Sequence, residues 1–131
     1  MTASANDLMV LLVTKRRSGR WVIPKGWAEP DLLPHLLAAR EAFEEAGILG
    51  EAEPNAIGAY TYRKRLPDGR RAICEVTVFP MRVVGFAETW PEQGQRRSRW
   101  ATLDEAASLV EEPGLAKLLW QVTSTPLTNE Q

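Results

Sequence analysis

The spacing of apolar and polar residues changes several times along the chain, and each change marks an element. Residues 8–14 (LMVLLVT) form a continuous apolar run of strand length. A turn-like RRSG at 16–19 leads to a second short run, RWVI at 20–23, closed by Pro24. The pair predicts an antiparallel hairpin. Pro24, Gly26, Pro30 and Pro34 then punctuate an aperiodic stretch that reads as loop. Across 33–46, Leu36, Ala39, Phe43 and Ala46 recur at steps of three and four, with Leu33 and Leu37 widening the stripe, which predicts a helix. Pro34 suits its first turn and Gly47 its C-terminal end. Residues 57–63 (IGAYTYR) and 71–84 (RAICEVTVFPMRVV) read as strands around a turn at LPDGR, with Pro80 forcing a bulge or an edge near the end of the second. A polar loop follows over 85–95, then a short strand over 99–102. Thr102 and Glu105 have the spacing of a capping box for a helix over 103–110. A last helix spans 113–122, and 123–131 reads as a flexible tail. This order of strands and helices argues for a mixed α/β sandwich in a single domain, 1–131.

Composition narrows the class. The chain has 131 residues, 44% of them hydrophobic, enough for one core without staples. A net charge of −1 argues against a strongly basic nucleic-acid binder, so no nucleic-acid partner is expected. One cysteine, Cys74, leaves no internal disulfide and fits a reducing, cytoplasmic setting. No apolar run reaches membrane-spanning length, and the N-terminal charges follow the apolar stretch rather than precede it, the reverse of a secretory signal.

The chemistry concentrates at the end of the first predicted helix, which reads Arg40-Glu41-Ala42-Phe43-Glu44-Glu45-Ala46-Gly47-Ile48. Glu41, Glu44 and Glu45 stand at i, i+3 and i+4, on one helix face. Three carboxylates there repel each other, and they sit where the helix dipole prefers cations. Taken alone, the run is an acidic face turned to water, with Arg40 and Glu44 a weak ion pair. Two broken local rules in one turn instead invite a functional explanation. Oxygen-rich clusters suit hard cations such as Mg²⁺ or Mn²⁺.

Gly26 lies fourteen positions before Arg40, and the stretch from Gly26 to Ile48 resembles the Nudix box. Gly26, Arg40, Glu41, Ala42, Glu44, Glu45, Gly47 and Ile48 match in register. Leu32 stands where the pattern has its first glutamate, and Glu29 and Asp31 lie close enough to substitute in part. The strand at 8–14, the Trp21-Val22-Ile23-Pro24 approach and the Trp100-Ala101-Thr102-Leu103-Asp104-Glu105-Ala106 segment also look Nudix-like. The family often has another strand ahead of the one at 8–14, a second expected departure. The resemblance implies an α/β/α sandwich with a mixed central sheet and a loop–helix–loop motif. It implies metal-dependent hydrolysis of a pyrophosphate bond in a small molecule, by a monomer or homodimer. Glu41 and Glu45 match direct metal ligands, Glu44 a third ligand or water-activating base, Arg40 the arginine that orients them, and the Lys25 carbonyl a further ligand.

Other residues bear on the substrate. Arg63, Lys64, Arg65, Arg70 and Arg71 crowd one predicted hairpin, Arg96, Arg97 and Arg99 form a second group, and Lys25 lies at the mouth of the box. Such cations clamp polyphosphates, or merely solvate a hairpin tip. With the WVIPKGW stretch they look most like the branch cleaving diphosphoinositol and diadenosine polyphosphates. Smaller nucleotides (a nucleoside triphosphate, nucleotide sugar or ADP-ribose) are the alternative within the enzymes, and a binding or regulatory module weakened by Leu32 the alternative outside them. Trp27 could stack on a base, while Tyr60 and Tyr62 alternate as packing residues do. Trp21, Trp100, Trp120 and Cys74 are expected in the core, and His35 at the surface. Glu75, Glu88 and Glu92 are candidates for an extra carboxylate.

Overall fold

The computed structural model describes residues 8–123. β1 (Met9–Thr14) and β2 (Trp21–Val22) form the expected hairpin, with Val13 opposite Val22. β1 pairs on its other side with β7 (Ser98–Thr102), Leu11 facing Trp100. Helix α1 (Pro34–Ala46) has Pro34 at its start and Gly47 in the left-handed region at its end, φ 71°. That residue turns the chain straight into β3 (Ile48–Ala52), a strand the sequence reading misses because five residues containing Gly50 and Glu51 carry little strand signal. β4 (Gly58–Arg65) and β5 (Arg71–Val78) form a hairpin paired over eight positions.

Pro80 does more than bulge the predicted second strand. It divides that strand, and the chain leaves β4 to continue as β6 (Met81–Phe86) against β3. Proline has no N–H for the ladder, and the Pro80 carbonyl accepts from the Glu53 N–H at 2.9 Å instead. The strands thus form three antiparallel ladders, β2-β1-β7, β3-β6 and β4-β5, with one parallel bridge between Trp21 and Val110. With the three helices they make the expected α/β sandwich.

Thr102 caps α2 (Leu103–Leu109) through the anticipated capping box, and α3 (Pro113–Thr123) follows. The tail predicted from 123 therefore begins inside a helix, and 124–131 lie outside the described residues. Leu115, Leu118, Leu119 and Val122 repeat along one side of α3 and join Leu12, Tyr60, Ala101, Leu103 and Ala106 in the core. Trp21 packs against this cluster, half-buried. Two other tryptophans do not. Trp120 is off the buried stripe of α3 and 50% exposed, and Trp100 lies 41% exposed, edge-on to Phe86. Cys74 is half-buried beside Tyr62 rather than fully enclosed. Among the described residues no helix is long and apolar enough to cross a membrane.

The stripe on α1 also differs from expectation. The helix buries Leu37, Ala42 and Glu45, while Leu33 and Leu36 are exposed. Relative to the Leu36–Ala39–Phe43–Ala46 line, it is turned to carry part of its carboxylate row inward.

Candidate active site

The rotation of α1 splits the three glutamates. Glu45 is 5% exposed, an uncommon place for a carboxylate. Glu41, one turn earlier, is half-buried and shares a hydrogen bond with it. Burial pushes both groups up, Glu45 to about 8, with Arg96 opposing its shift and Glu41 reinforcing it. Glu44 stands apart, half-buried, with Arg40 Nε 4.0 Å away.

Gly26 explains why Glu41 is half-buried. Its Cα lies against the Glu41 carboxyl, and a Cβ there would stand 2.5 Å from Cδ and Oε1. The loop backbone and the helix carboxylate can meet only across a residue without a side chain. Since the obstructing atoms end a flexible side chain, Gly26→Ala should leave the fold intact and displace Glu41. The expected result is an unchanged urea midpoint with Mn²⁺ affinity, read by electron paramagnetic resonance, reduced about 10–100-fold.

Leu32 lines the wall of a cavity of about 520 Å³, with Leu37, Ile23 and Leu115, that reaches Gly26 and Glu41. Glu29, one of the two nearby acids, pairs directly with the Arg40 guanidinium. Asp31 has no such contact with Arg40 among the described interactions.

Lys25 departs from its anticipated place. Its ammonium turns away from the mouth of the loop, 3.4 Å from Glu112 and 5.0 Å from the Tyr62 ring centre. Glu112 is 4% exposed and accepts from the Tyr60 hydroxyl at 2.9 Å. Burial lowers the Lys25 pKa, with Glu112 opposing the shift. The ammonium is thus paired with Glu112, and the Lys25 carbonyl is a candidate metal ligand. The sequence reading missed Glu112; its one signal is an acidic pair, Glu111-Glu112, immediately ahead of Pro113 at a helix start.

The basic hairpin is likewise divided by strand alternation. Lys64 shares the inward side with Tyr60 and Tyr62, and its ammonium lies 5.8 Å from the ring centre of Trp27, which is 64% exposed. Arg63 and Arg65 face outward, Arg65 opposite Arg71. Arg70 is tied to Asp68 in the turn at 2.6 Å. Of the second group, Arg97 lies over Trp21 and Arg96 turns toward the acids.

Among the three extra carboxylates considered, the structure brings Glu92 to the pair. Its N–H donates to the Glu44 carbonyl at 2.9 Å, and its charge acts on both Glu41 and Glu45. Glu75 is exposed on β5, and the Glu88 carbonyl accepts from Gln93.

Hard oxygen donors on a buried, like-charged pair against a bare glycine backbone fit a divalent cation such as Mg²⁺ or Mn²⁺. Among the described residues no three His, Cys, Asp or Glu side chains are gathered as a ready-made cage. Glu41 and Glu45 would therefore hold the ion with the Lys25 carbonyl, and waters or substrate phosphate would complete the shell, the usual division for Mg²⁺.

Comparison with known proteins shows the family. Residues 2–122 match the NUDIX domain. The chain is 35% identical over 107 residues to Nudix hydrolase 12, mitochondrial, of Arabidopsis thaliana, covering 79% of this chain and 53% of that protein. It is 26% identical over 107 residues to diphosphoinositol polyphosphate phosphohydrolase 3-alpha of Mus musculus, covering 80% and 61%. The crystal structure of the C. elegans Ap4A hydrolase superposes with a TM-score of 0.55 at 17% identity, covering 87% of this chain and 83% of that one. The chain spans about half the length of the first of these relatives. A domain match over nearly the whole described chain, on a loop and helix that bring Gly26 against Glu41, places the protein in the Nudix family.

Proposed function

We propose that the protein is a metal-dependent pyrophosphohydrolase acting on a polyphosphorylated small molecule of the diadenosine polyphosphate or diphosphoinositol polyphosphate type. The observation that carries this is the Glu41–Glu45 pair, with Glu45 buried and Glu41 set against Gly26. A bound Mg²⁺, or Mn²⁺, would supply charge neutralisation for the pyrophosphate and a more acidic water. Glu41 and Glu45 would hold the ion. Glu44, outside the hydrogen-bonded pair, and Glu92 are the carboxylates left to accept the water's proton. Arg40, gripped by Glu29, orients the carboxylate row. Trp27 and Lys64 form an aromatic face and a cation at the open edge of the loop, suited to a ring bearing phosphates. Arg63, Arg65, Arg70 and Arg71 extend positive charge beyond it, for the distal phosphates of a long substrate. Two of the similar proteins are named for polyphosphate substrates, which supports the same class. The lone Cys74 fits the reducing cytoplasm as the compartment.

The competing reading is a family member that binds without turnover, and Leu32 favours it. Both are tested by phosphate or nucleotide release from a panel of pyrophosphates with Mg²⁺, Mn²⁺ or EDTA. Diadenosine polyphosphates, a diphosphoinositol polyphosphate, nucleoside triphosphates, ADP-ribose and a nucleotide sugar make up the panel. Metal-dependent cleavage of the first two is expected. Cleavage of only the small nucleotides would move the substrate class, and binding without release from folded protein would favour the regulatory reading.

A further inference from the structure

Arg96 has no part in the reading above, yet its guanidinium is held by two hydrogen bonds. Its side chain is 14% exposed. Nε donates to Glu92 Oε1 at 2.7 Å, and one terminal nitrogen donates to the Thr14 carbonyl at 3.0 Å while standing 3.9 Å from Glu45 Oε1. Its neighbour Arg97 is fixed to the same residue, with Arg97 N–H donating to the Thr14 hydroxyl and Thr14 N–H to the Arg97 carbonyl, both at 3.0 Å. The guanidinium is thus locked to the end of β1 and aimed at the acids. Among the described residues it is the one cation within 4 Å of Glu45.

Arg96 joins Glu92 to Glu45, and Glu41 lies one helical turn before Glu45. The Arg96 guanidinium lies between Glu45 and Glu92 and offsets negative charge there. A divalent cation would bring two positive charges to the same place. We infer that Arg96 is a resident counter-ion that competes with the divalent cation for Glu45, and so sets the site's metal affinity. This rests on the metal-site reading proposed above. Neighbouring like charges repel with little screening when water is largely excluded. Arg96 therefore stabilises the metal-free cluster and weakens the loaded one. A purely structural Arg96 would do the opposite, since losing it would loosen Glu92 and lower affinity.

The test is Mn²⁺ binding without substrate, by electron paramagnetic resonance, for wild type, Glu45→Gln, Arg96→Gln and Arg96→Lys at constant pH and salt. Binding by wild type and its loss in Glu45→Gln establish the metal site independently of Arg96; no binding by wild type sinks that reading and the inference together. Arg96→Gln should bind Mn²⁺ at least about tenfold more tightly, while circular dichroism shows a retained fold and urea shows a less stable metal-free state. Unchanged or weaker binding in folded Arg96→Gln overturns the inference. If that variant does not fold, Arg96→Lys decides. Lysine keeps a charge for Glu92 but lacks the fork that also reaches Glu45, so its affinity should exceed wild type, and an affinity at or below wild type overturns the inference.

Discussion

Glu45→Gln should abolish most metal-dependent turnover, by about 10²–10⁴-fold, while making the metal-free protein more stable at pH 8. Both effects come from one buried carboxyl. Its pKa is raised in the folded state from 4.5 to about 8, chiefly by desolvation. A raised carboxyl favours folding fully below its unfolded pKa and loses that contribution as pH climbs through its folded value. Metal-free wild type should therefore lose stability between about pH 4.5 and 8, through this group, by an amount on the order of a few kcal/mol. Glutamine keeps the shape of the protonated acid without the charge, so the variant's urea midpoint should stay nearly flat over that interval. The two proteins should match near pH 4.5 and separate by pH 8. Wild type that gains stability over this interval, or a variant that unfolds in EDTA, would show the carboxyl to be a structural anion.

The largest loss of stability is expected from Gly47→Ala. Gly47 has φ 71°, where a side chain costs about 1 kcal/mol. A Cβ would also stand 2.5 Å from the Trp90 ring, a rigid group that cannot fold away as a carboxyl can. Overpacking of this kind adds about 1–3 kcal/mol, for a total of about 2–4 kcal/mol in urea unfolding. The damage should extend to the site, because the Gly47 carbonyl accepts from Ala87 N–H at 2.8 Å, at the start of the loop that carries Glu92 and Arg96. A loss below about 1 kcal/mol would mean that Trp90 moves freely.

Glu45 and Gly47 belong to the part of the molecule that is legible in the sequence. The spacing from Gly26 to Ile48 locates loop, helix and carboxylates together, and Pro34, Gly47 and Thr102–Glu105 mark helix ends by local chemistry that tertiary packing does not override. What escaped depends on contacts distant in sequence. The α1 stripe is turned because Glu41 must meet a loop fifteen residues earlier. Lys25 leaves the mouth because Glu112, far along the chain, lies buried within reach. Trp100 and Trp120 have the composition of core residues and sit on exposed faces of elements whose other sides fill the core. β3 exists because β6 is there to pair with it.

The β4–β5 hairpin has a consequence of a different kind. Its two strands pair only with each other among the described residues, so each presents an edge of N–H and C=O groups along eight positions. Ile73, 74% exposed, would make such an edge adhesive. Arg63, directly across from it, and the facing Arg65 and Arg71 place like charge along the outward surface. Any second strand adding there would meet them at close range, and a copy of the same hairpin would bring its own. Whatever phosphate they also attract, these arginines set like charge against the growth of an open ladder.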